Sequence, residues 1–257
     1  ESLTVGNWNC CVTSSIDRSV KVWNINNIFE QVHVIDRLEL QIDNISLSND
    51  GEIASTVTRS CIGAWELKTG RLLAKLADSP LGAIVTHAEI TPNGKYIISS
   101  ETGKLIIWNR LTEQVLYKDD QPGIQQIIML EDGDKVLAVS CKEFNSANQL
   151  GNEEQKLTAK AIVRSVPDGE VLYKFEFPIK SIPGIPFRAT VVSADCQYIT
   201  ATSLDKNNKD ALAVYNAESG AHLHKVTLRS CGIKENVIRV LSLPHKSTQV
   251  AVITSEK

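Results

Sequence analysis

Neither sign of charge dominates this chain: 27 basic residues against 30 acidic ones leave a formal net charge of −3. A near-neutral surface lacks the electrostatic footprint that binds phosphate backbones or anionic headgroups, so neither nucleic acid nor membrane is an expected partner. Gly and Pro number only 14 and 8 in 257 residues, too few for a collagen-like or low-complexity chain. No apolar run approaches the roughly 20 residues that cross a bilayer as a helix. Residues 1–9 show no basic start followed by an apolar stretch, so no secretory leader is read there.

Chemistry-bearing motifs are also missing. Cys10, Cys11, Cys61, Cys141, Cys196 and Cys231 form no C-x-x-C pair and no zinc spacing with histidine. They read as reduced, mostly buried thiols of a cytoplasmic protein, with Cys10 and Cys11 pointing to opposite faces of one strand. Asn44-Ile45-Ser46 fits a glycosylation acceptor but lies in a predicted core strand. Gly94-Lys95 and Gly103-Lys104 continue with Tyr96 and Leu105, so no phosphate-binding G-x-x-x-x-G-K-[ST] loop exists here. G-x-G-x-x-G and G-x-S-x-G are absent as well.

A repeat is present instead. Four segments share an apolar strand, a polar turn and a second strand: Ile45 to Ala54, Ala88 to Ile97, Ile128 to Leu137 and Val192 to Ile199. Asp50-Gly51, Asn93-Gly94 and Asp132-Gly133 supply the positive φ such turns need, and Cys196 replaces the glycine in a weaker fourth copy. Trp65 and Trp108 each follow their turn by 15 residues, and Trp23, Trp65 and Trp108 are 42 and 43 residues apart. Each tryptophan closes a short strand, at 19–23, 61–65 and 104–108, and a further strand follows at 71–75 and 114–118. The tail Val115-Leu116-Tyr117 recurs as Val171-Leu172-Tyr173. That register puts Arg164, and then Tyr215, where the repeat has Trp. The longer step before Arg164 contains a polar insert at 142–156, read as a surface loop between two strands.

A period of 40–45 residues with four strands per period is the signature of a propeller blade. Asp17-Arg18-Ser19-Val20-Lys21-Val22-Trp23 resembles the end of a WD40 repeat, and Ser48-Asn49-Asp50-Gly51 and Thr91-Pro92-Asn93-Gly94 resemble its Ser-Pro-Asp-Gly turn. The chain is therefore similar to the WD40-repeat β-propeller family over nearly its whole length. It departs from that family in having no Gly-His dipeptide, and only Trp23 has Asp six residues before it. The resemblance implies an all-β propeller of about five and a half blades: 1–36, 42–77, 84–118, 124–177, 187–228 and a half-blade at 237–257. With seven blades usual in the family, the expectation is one incomplete domain over 1–257, cut from a longer chain. Such a fragment is expected to fold poorly alone, because it exposes raw blade edges.

The tryptophans at fixed repeat positions read as interblade core rather than ligand platforms. His222 and His224 alternate on a predicted rim strand and face one side; without a third ligand nearby they read as a solvated pair. His87 reads as a structural histidine on an inner strand, and Ile45, Leu47, Ile90, Ile127, Met129, Val191 and Ser193 make the inner strands read as packing. No catalytic, metal or cofactor site is expected.

The resemblance implies a partner-binding face made by blade-joining loops and middle-hairpin loops. Asp36, Glu39, Asp43, Asp78, Asp119 and Asp120 fall in the former; Asp17, Arg18, Arg59, Glu101, Glu143, Glu153 and Glu154 fall in the latter. The candidate face is Asp17, Arg18, Asp36, Arg59, Asp78, Glu101, Asp119 and Asp120, and its acidity implies a basic protein partner. The expected function is a non-enzymatic platform for protein recognition. The repeat texture is also similar to the C-terminal propellers of NACHT and WD-repeat proteins, which implies a sensor or regulatory role beside an NTPase module elsewhere in a longer chain. The alternatives are a standalone WD40 scaffold subunit and, more remotely, a propeller enzyme of the lactonase or quinoprotein type.

Overall fold

The computed structural model describes residues 3–5, 10–15, 17–24, 30–35, 41–76, 84–130, 133–141, 156–180, 190–193, 196–204, 207, 210–231, 237–242 and 250–254. Two compact units result: Glu1–Val136 with Ser165–Glu170, and Leu137–Arg164 with Val171–Lys257.

Four-stranded antiparallel sheets follow one another along the chain, each ordered as in the sequence. The first contains β1 (Leu3–Val5), β2 (Cys10–Ser14), β3 (Val20–Asn24) and β4 (Glu30–Ile35). The second contains β5 (Asn44–Leu47), β6 (Ile53–Val57), β7 (Ile62–Glu66) and β8 (Arg71–Leu76), and the third β9 (Val85–Ile90), β10 (Tyr96–Glu101), β11 (Lys104–Asn109) and β12 (Gln114–Asp120). The fourth, through which the division into units runs, comprises β13 (Ile124–Leu130), β14 (Lys135–Cys141), β15 (Lys156–Ser165) and β16 (Val171–Lys180). The fifth holds β17 (Thr190–Val192), β18 (Tyr198–Leu204), β19 (Asp210–Asn216) and β20 (His222–Thr227). A two-stranded sheet of β21 (Val237–Ser242) and β22 (Val250–Thr254) comes last. This is the all-β blade architecture that the repeat predicts. The predicted insert lies outside the described residues except for Lys156, which opens β15.

Burial within a blade follows strand position. In the third, Leu105, Ile106 and Ile107 of β11 are all buried, because a central strand between two stacked sheets has no solvent face. Its outer neighbour β12 is largely exposed. In the first unit, Val57, Ile62, Leu76, Val85, Ile90 and Ile97 form one core between the second and third sheets, with Trp108 against it. Val12, Val22, Ile35, Ile45, Ala54 and Leu67 form the equivalent core between the first and second, with Trp65 against it.

In the second and third blades the turns between the first two strands repeat atom by atom. Ser48 Oγ accepts from Ile53 N and donates to Asp50 Oδ1, while Gly51 N donates to Ser48 O. Thr91, Asn93, Gly94 and Tyr96 make the same set. Ser193 makes two of these bonds, with Tyr198 N and Cys196 N, and Cys196 adopts φ 55° where its sisters have glycine, which makes the fourth copy the weaker turn. A side chain held in the left-handed region costs about 1–2 kcal/mol. Cys196→Gly relieves that strain and gives back part of it as unfolded-chain entropy, so denaturant unfolding should show a net gain of about 0.5–1 kcal/mol.

One irregularity recurs in all five four-stranded sheets. The register between the third and fourth strands slips by one residue at Val22/Trp23, Ala64/Trp65, Ile107/Trp108, Val163/Arg164 and Val214/Tyr215. A bulge thus sits at every Trp position, and Arg164 and Tyr215 occupy that position as the sequence register predicts. The bulge corrects the expectation for the two histidines. His222 pairs with Tyr215 and His224 with Val214, so they fall on opposite faces of the sheet. Both are exposed, and His222 meets the Tyr215 ring edge-on at 5.3 Å.

Candidate functional site

At the bulge, three blades share one hydrogen bond. Trp23, Trp65 and Trp108 each donate their indole N–H, at 2.9 Å, to Thr13 Oγ1, Thr56 Oγ1 and Ser99 Oγ on the neighbouring strand. The acceptor lies five residues after the turn glycine in the second and third blades, at Thr56 and Ser99. The same offset gives Ala138 and Ala201 in the two blades without Trp. Loss of the indole donor and loss of the hydroxyl acceptor therefore go together, as the cost of leaving either one buried and unpaired requires. Arg164, only 3% exposed, and Tyr215 take the vacated positions. Tyr215 stacks on Phe175 at 4.4 Å, and burial pushes its phenol pKa up. The tryptophans are thus structural posts, each pinned through its indole to a hydroxyl on the neighbouring strand.

The described members of the predicted recognition face lie in the first unit. Asp17 and Arg18 form the β2–β3 turn. Asp17 Oδ1 accepts from Ser19 Oγ at 2.6 Å and from Ser19 N at 3.0 Å, which lets Arg18 hold φ 69°. The Ser19 hydroxyl, then its backbone N–H, holds the Asp17 carboxyl below its usual range. A carboxylate whose pKa is depressed on folding adds stability above its unfolded pKa and loses it as pH falls through the folded value. An NMR titration should therefore place Asp17 below an ordinary aspartate, and Asp17→Asn should remove this part of the acid dependence.

Arg59 is exposed in the β6–β7 turn, and its carbonyl accepts from Val85 N at 3.0 Å, tying the second blade to the start of β9. Glu101, Asp119 and Asp120 are not in loops as expected. They end β10 and β12, because Glu101 pairs with Lys104, Leu105 with Asp119 and Lys104 with Asp120 in continuous ladders. Lys104 Nζ lies 3.2 Å from Asp120 Oδ1, so opposite charges across the register carry the strand to its last residue. Asp36, Glu39, Asp78, Glu143, Glu153 and Glu154 lie outside the described residues.

The sequence reading missed two features. One is a polar clasp on the inner strands: Ser46 Oγ of β5 donates to Glu89 Oε2 of β9 at 2.5 Å and accepts from Ile90 N at 3.2 Å. Its signal was Glu89 and His87 alternating along β9, so the inner strands are not purely apolar. The other is Ile84, exposed immediately before β9, where the sister blades have Gln41 and Gly123.

Among the described residues, no group of three or more His, Cys, Asp or Glu side chains is placed to hold a metal ion, and no helix is long and apolar enough to cross a membrane. Cys11 and Cys141 are buried free thiols, with pKa raised by burial, whereas Cys61 and Cys196 are half-exposed in turns. The described arrangement presents backbone-fixed charged and apolar side chains at loop ends, which suits recognition of another surface.

Comparison with known proteins gives the family and the fold. The family model described as the NWD2 C-terminal beta-propeller matches residues 32–257. The small ribosomal subunit protein RACK1y of Oryza sativa subsp. japonica is 29% identical over 115 residues, which are 44% of this chain and 33% of that protein. The chain thus matches about a third of that relative's length. The solved β-propeller domain of Cps50 (Swd1) from Myceliophteria thermophila aligns over 99% of this chain and 92% of its own, with a TM-score of 0.52 and 13% identity, a likeness of fold alone. WD40 propellers in general are scaffolds that bind protein partners. With the family model matched from residue 32 to residue 257, this chain belongs to the NWD2 C-terminal beta-propeller family of WD40 β-propellers.

Proposed function

We propose that the chain is a non-enzymatic platform for protein recognition, a single propeller domain over residues 1–257 that senses or regulates within a larger cytoplasmic protein of the NACHT type. The carrying observation is the family match, whose description places such propellers at the C-terminal end of their proteins. The partner is another protein with a basic surface, engaged by the face read from the sequence as Asp17, Arg18, Asp36, Arg59, Asp78, Glu101, Asp119 and Asp120. A second reading, a standalone scaffold subunit of a multiprotein complex, is favoured by the likeness to RACK1y, by its name a ribosomal subunit protein.

Asp119→Lys with Asp120→Lys in the full chain tests the acidic face. Quantitative affinity capture should show at least a five-fold loss of bound partner at unchanged thermal stability. Undiminished capture would sink the acidic-face assignment. A G-x-x-x-x-G-K-[ST] motif in the full coding sequence, between a predicted strand and helix, is the outcome the NACHT reading requires; its absence leaves the scaffold reading.

A further inference from the structure

The β10–β11 turn of the third blade is unusual in both its residues and its neighbours. Thr102 and Gly103 form a two-residue hairpin with φ 40° and 78°, the mirror-image geometry that suits Asn-Gly rather than a β-branched residue. Thr102 is held there by Ile84. Ile84 N donates to Thr102 Oγ1 at 2.8 Å, and Thr102 N donates to Ile84 O at 3.0 Å. On the other side, Gln121 N donates to Gly103 O at 2.8 Å. This seats Pro122 against Gly103 so closely that a Cβ there would lie 3.4 Å from Pro122 Cα.

The result is a ledge, Ile84–Thr102–Gly103–Pro122, with an apolar side chain at each end and Thr102 and the Gly103 backbone between. Ile84 is 53% exposed and Pro122 is exposed. Asp120 stands two residues before Pro122 with its side chain 82% exposed, in a surface ion pair with Lys104. Such pairs are weak enough to exchange partners. Arg59 stands at the Ile84 end, through the Val85–Arg59 backbone bond. The ledge therefore has one apolar side chain at each end, with Asp120, paired to Lys104, beside Pro122 and Arg59 beside Ile84.

We propose that this ledge binds an extended segment of another protein, one that lays a large apolar side chain across Ile84 and Pro122 and sets a Lys or Arg against Asp120. Arg59 repels a basic residue at the far end and so fixes the direction in which the segment lies. The inference rests on the protein-recognition reading above and names the partner chemistry at one part of that face. Electrostatic complementarity of this kind sets direction and partner choice, while the buried apolar contact supplies affinity.

The test is fluorescence anisotropy with the full chain and three labelled octapeptides of Gly-Ser background. The first carries Leu-Phe followed by Lys-Arg, the second Leu-Phe followed by Glu-Glu, and the third Ser-Ser followed by Lys-Arg. The first should bind at least ten-fold more tightly than either other. Ile84→Ser and Asp120→Lys should each weaken it at least five-fold, and Asp120→Lys should narrow or reverse the preference over the second peptide. Both residues are exposed, and unchanged melting curves show that the variants fold. Equal binding of all three peptides, no binding at all, or full affinity in Ile84→Ser overturns the ledge. The broader reading is tested separately by affinity capture: if Ile84→Ser still captures partners at the unsubstituted level, the platform stands and the ledge falls. If the unsubstituted chain captures none, the platform reading itself fails.

Discussion

Gly169→Ala is expected to lower the unfolding free energy by about 2–4 kcal/mol. Gly169 lies in the hairpin turn between β15 and β16 with φ 75° and is buried. A Cβ there would fall inside the van der Waals envelope of Tyr117 Cγ, Cδ1 and Cδ2, whose ring covers the glycine. Two costs add: about 1 kcal/mol or more for the left-handed backbone and about 1–3 kcal/mol for displacing a packed ring. The sister turns separate them. Gly70 has φ 70°, but its nearest neighbour, Ile35 Cγ1, lies 3.9 Å from a Cβ, so Gly70→Ala should cost only the backbone part, about 1 kcal/mol. Glu113 already occupies the same place in the third blade at φ 57°, so the conformation itself admits a side chain. Equal losses for Gly70→Ala and Gly169→Ala in denaturant unfolding would show that the Tyr117 ring contributes nothing.

Ile90→Ala should cost about 3 kcal/mol, within the ~2–5 kcal/mol found when a buried aliphatic side chain is cut to alanine in a close-packed core. Ile90 is 2% exposed and belongs to the core between the second and third blades, with Leu76, Ile62 and Ile97. Its backbone N–H keeps the bond to Ser46 Oγ in the variant, so the loss reports packing rather than the clasp. Ile90→Val should cost about 1 kcal/mol at the same site. A loss below 1 kcal/mol for the alanine variant would mean that adjacent blades are not held by this core. Blades that contact only their neighbours share stability through such interfaces, so the loss should appear in a single transition if the first unit unfolds as one.

Much of the fold was readable before any coordinates. The 42- and 43-residue tryptophan spacing and the repeated turn marked four-stranded blades, because turn geometry and strand alternation are local and leave local patterns. Even Arg164 and Tyr215 were placed correctly, since the Val-Leu-Tyr tail carried the register past the missing tryptophan, and the bulge recurs at both. The candidate face was less legible. Arg59 and Asp17 fall in turns as read, but Glu101, Asp119 and Asp120 extend strands, a matter of cross-strand charge that strand-length rules do not contain.

The amino-acid order alone determined the blade period, the turn chemistry, the apolar central strands and the near-neutral charge, for turns and strand alternation depend on residues within a few positions of one another, their recurrence shows directly in the sequence, and charge is a matter of composition. Tertiary structure alone decided the rest. It turned His222 and His224 to opposite faces, because one extra residue in β20 inverts the alternation beyond it. It laid the Tyr117 ring over Gly169, and it joined Ile84 to Thr102 and Pro122 to Gly103. These neighbours are separated by a strand or more of sequence, and only the pairing and stacking of sheets brings their atoms together.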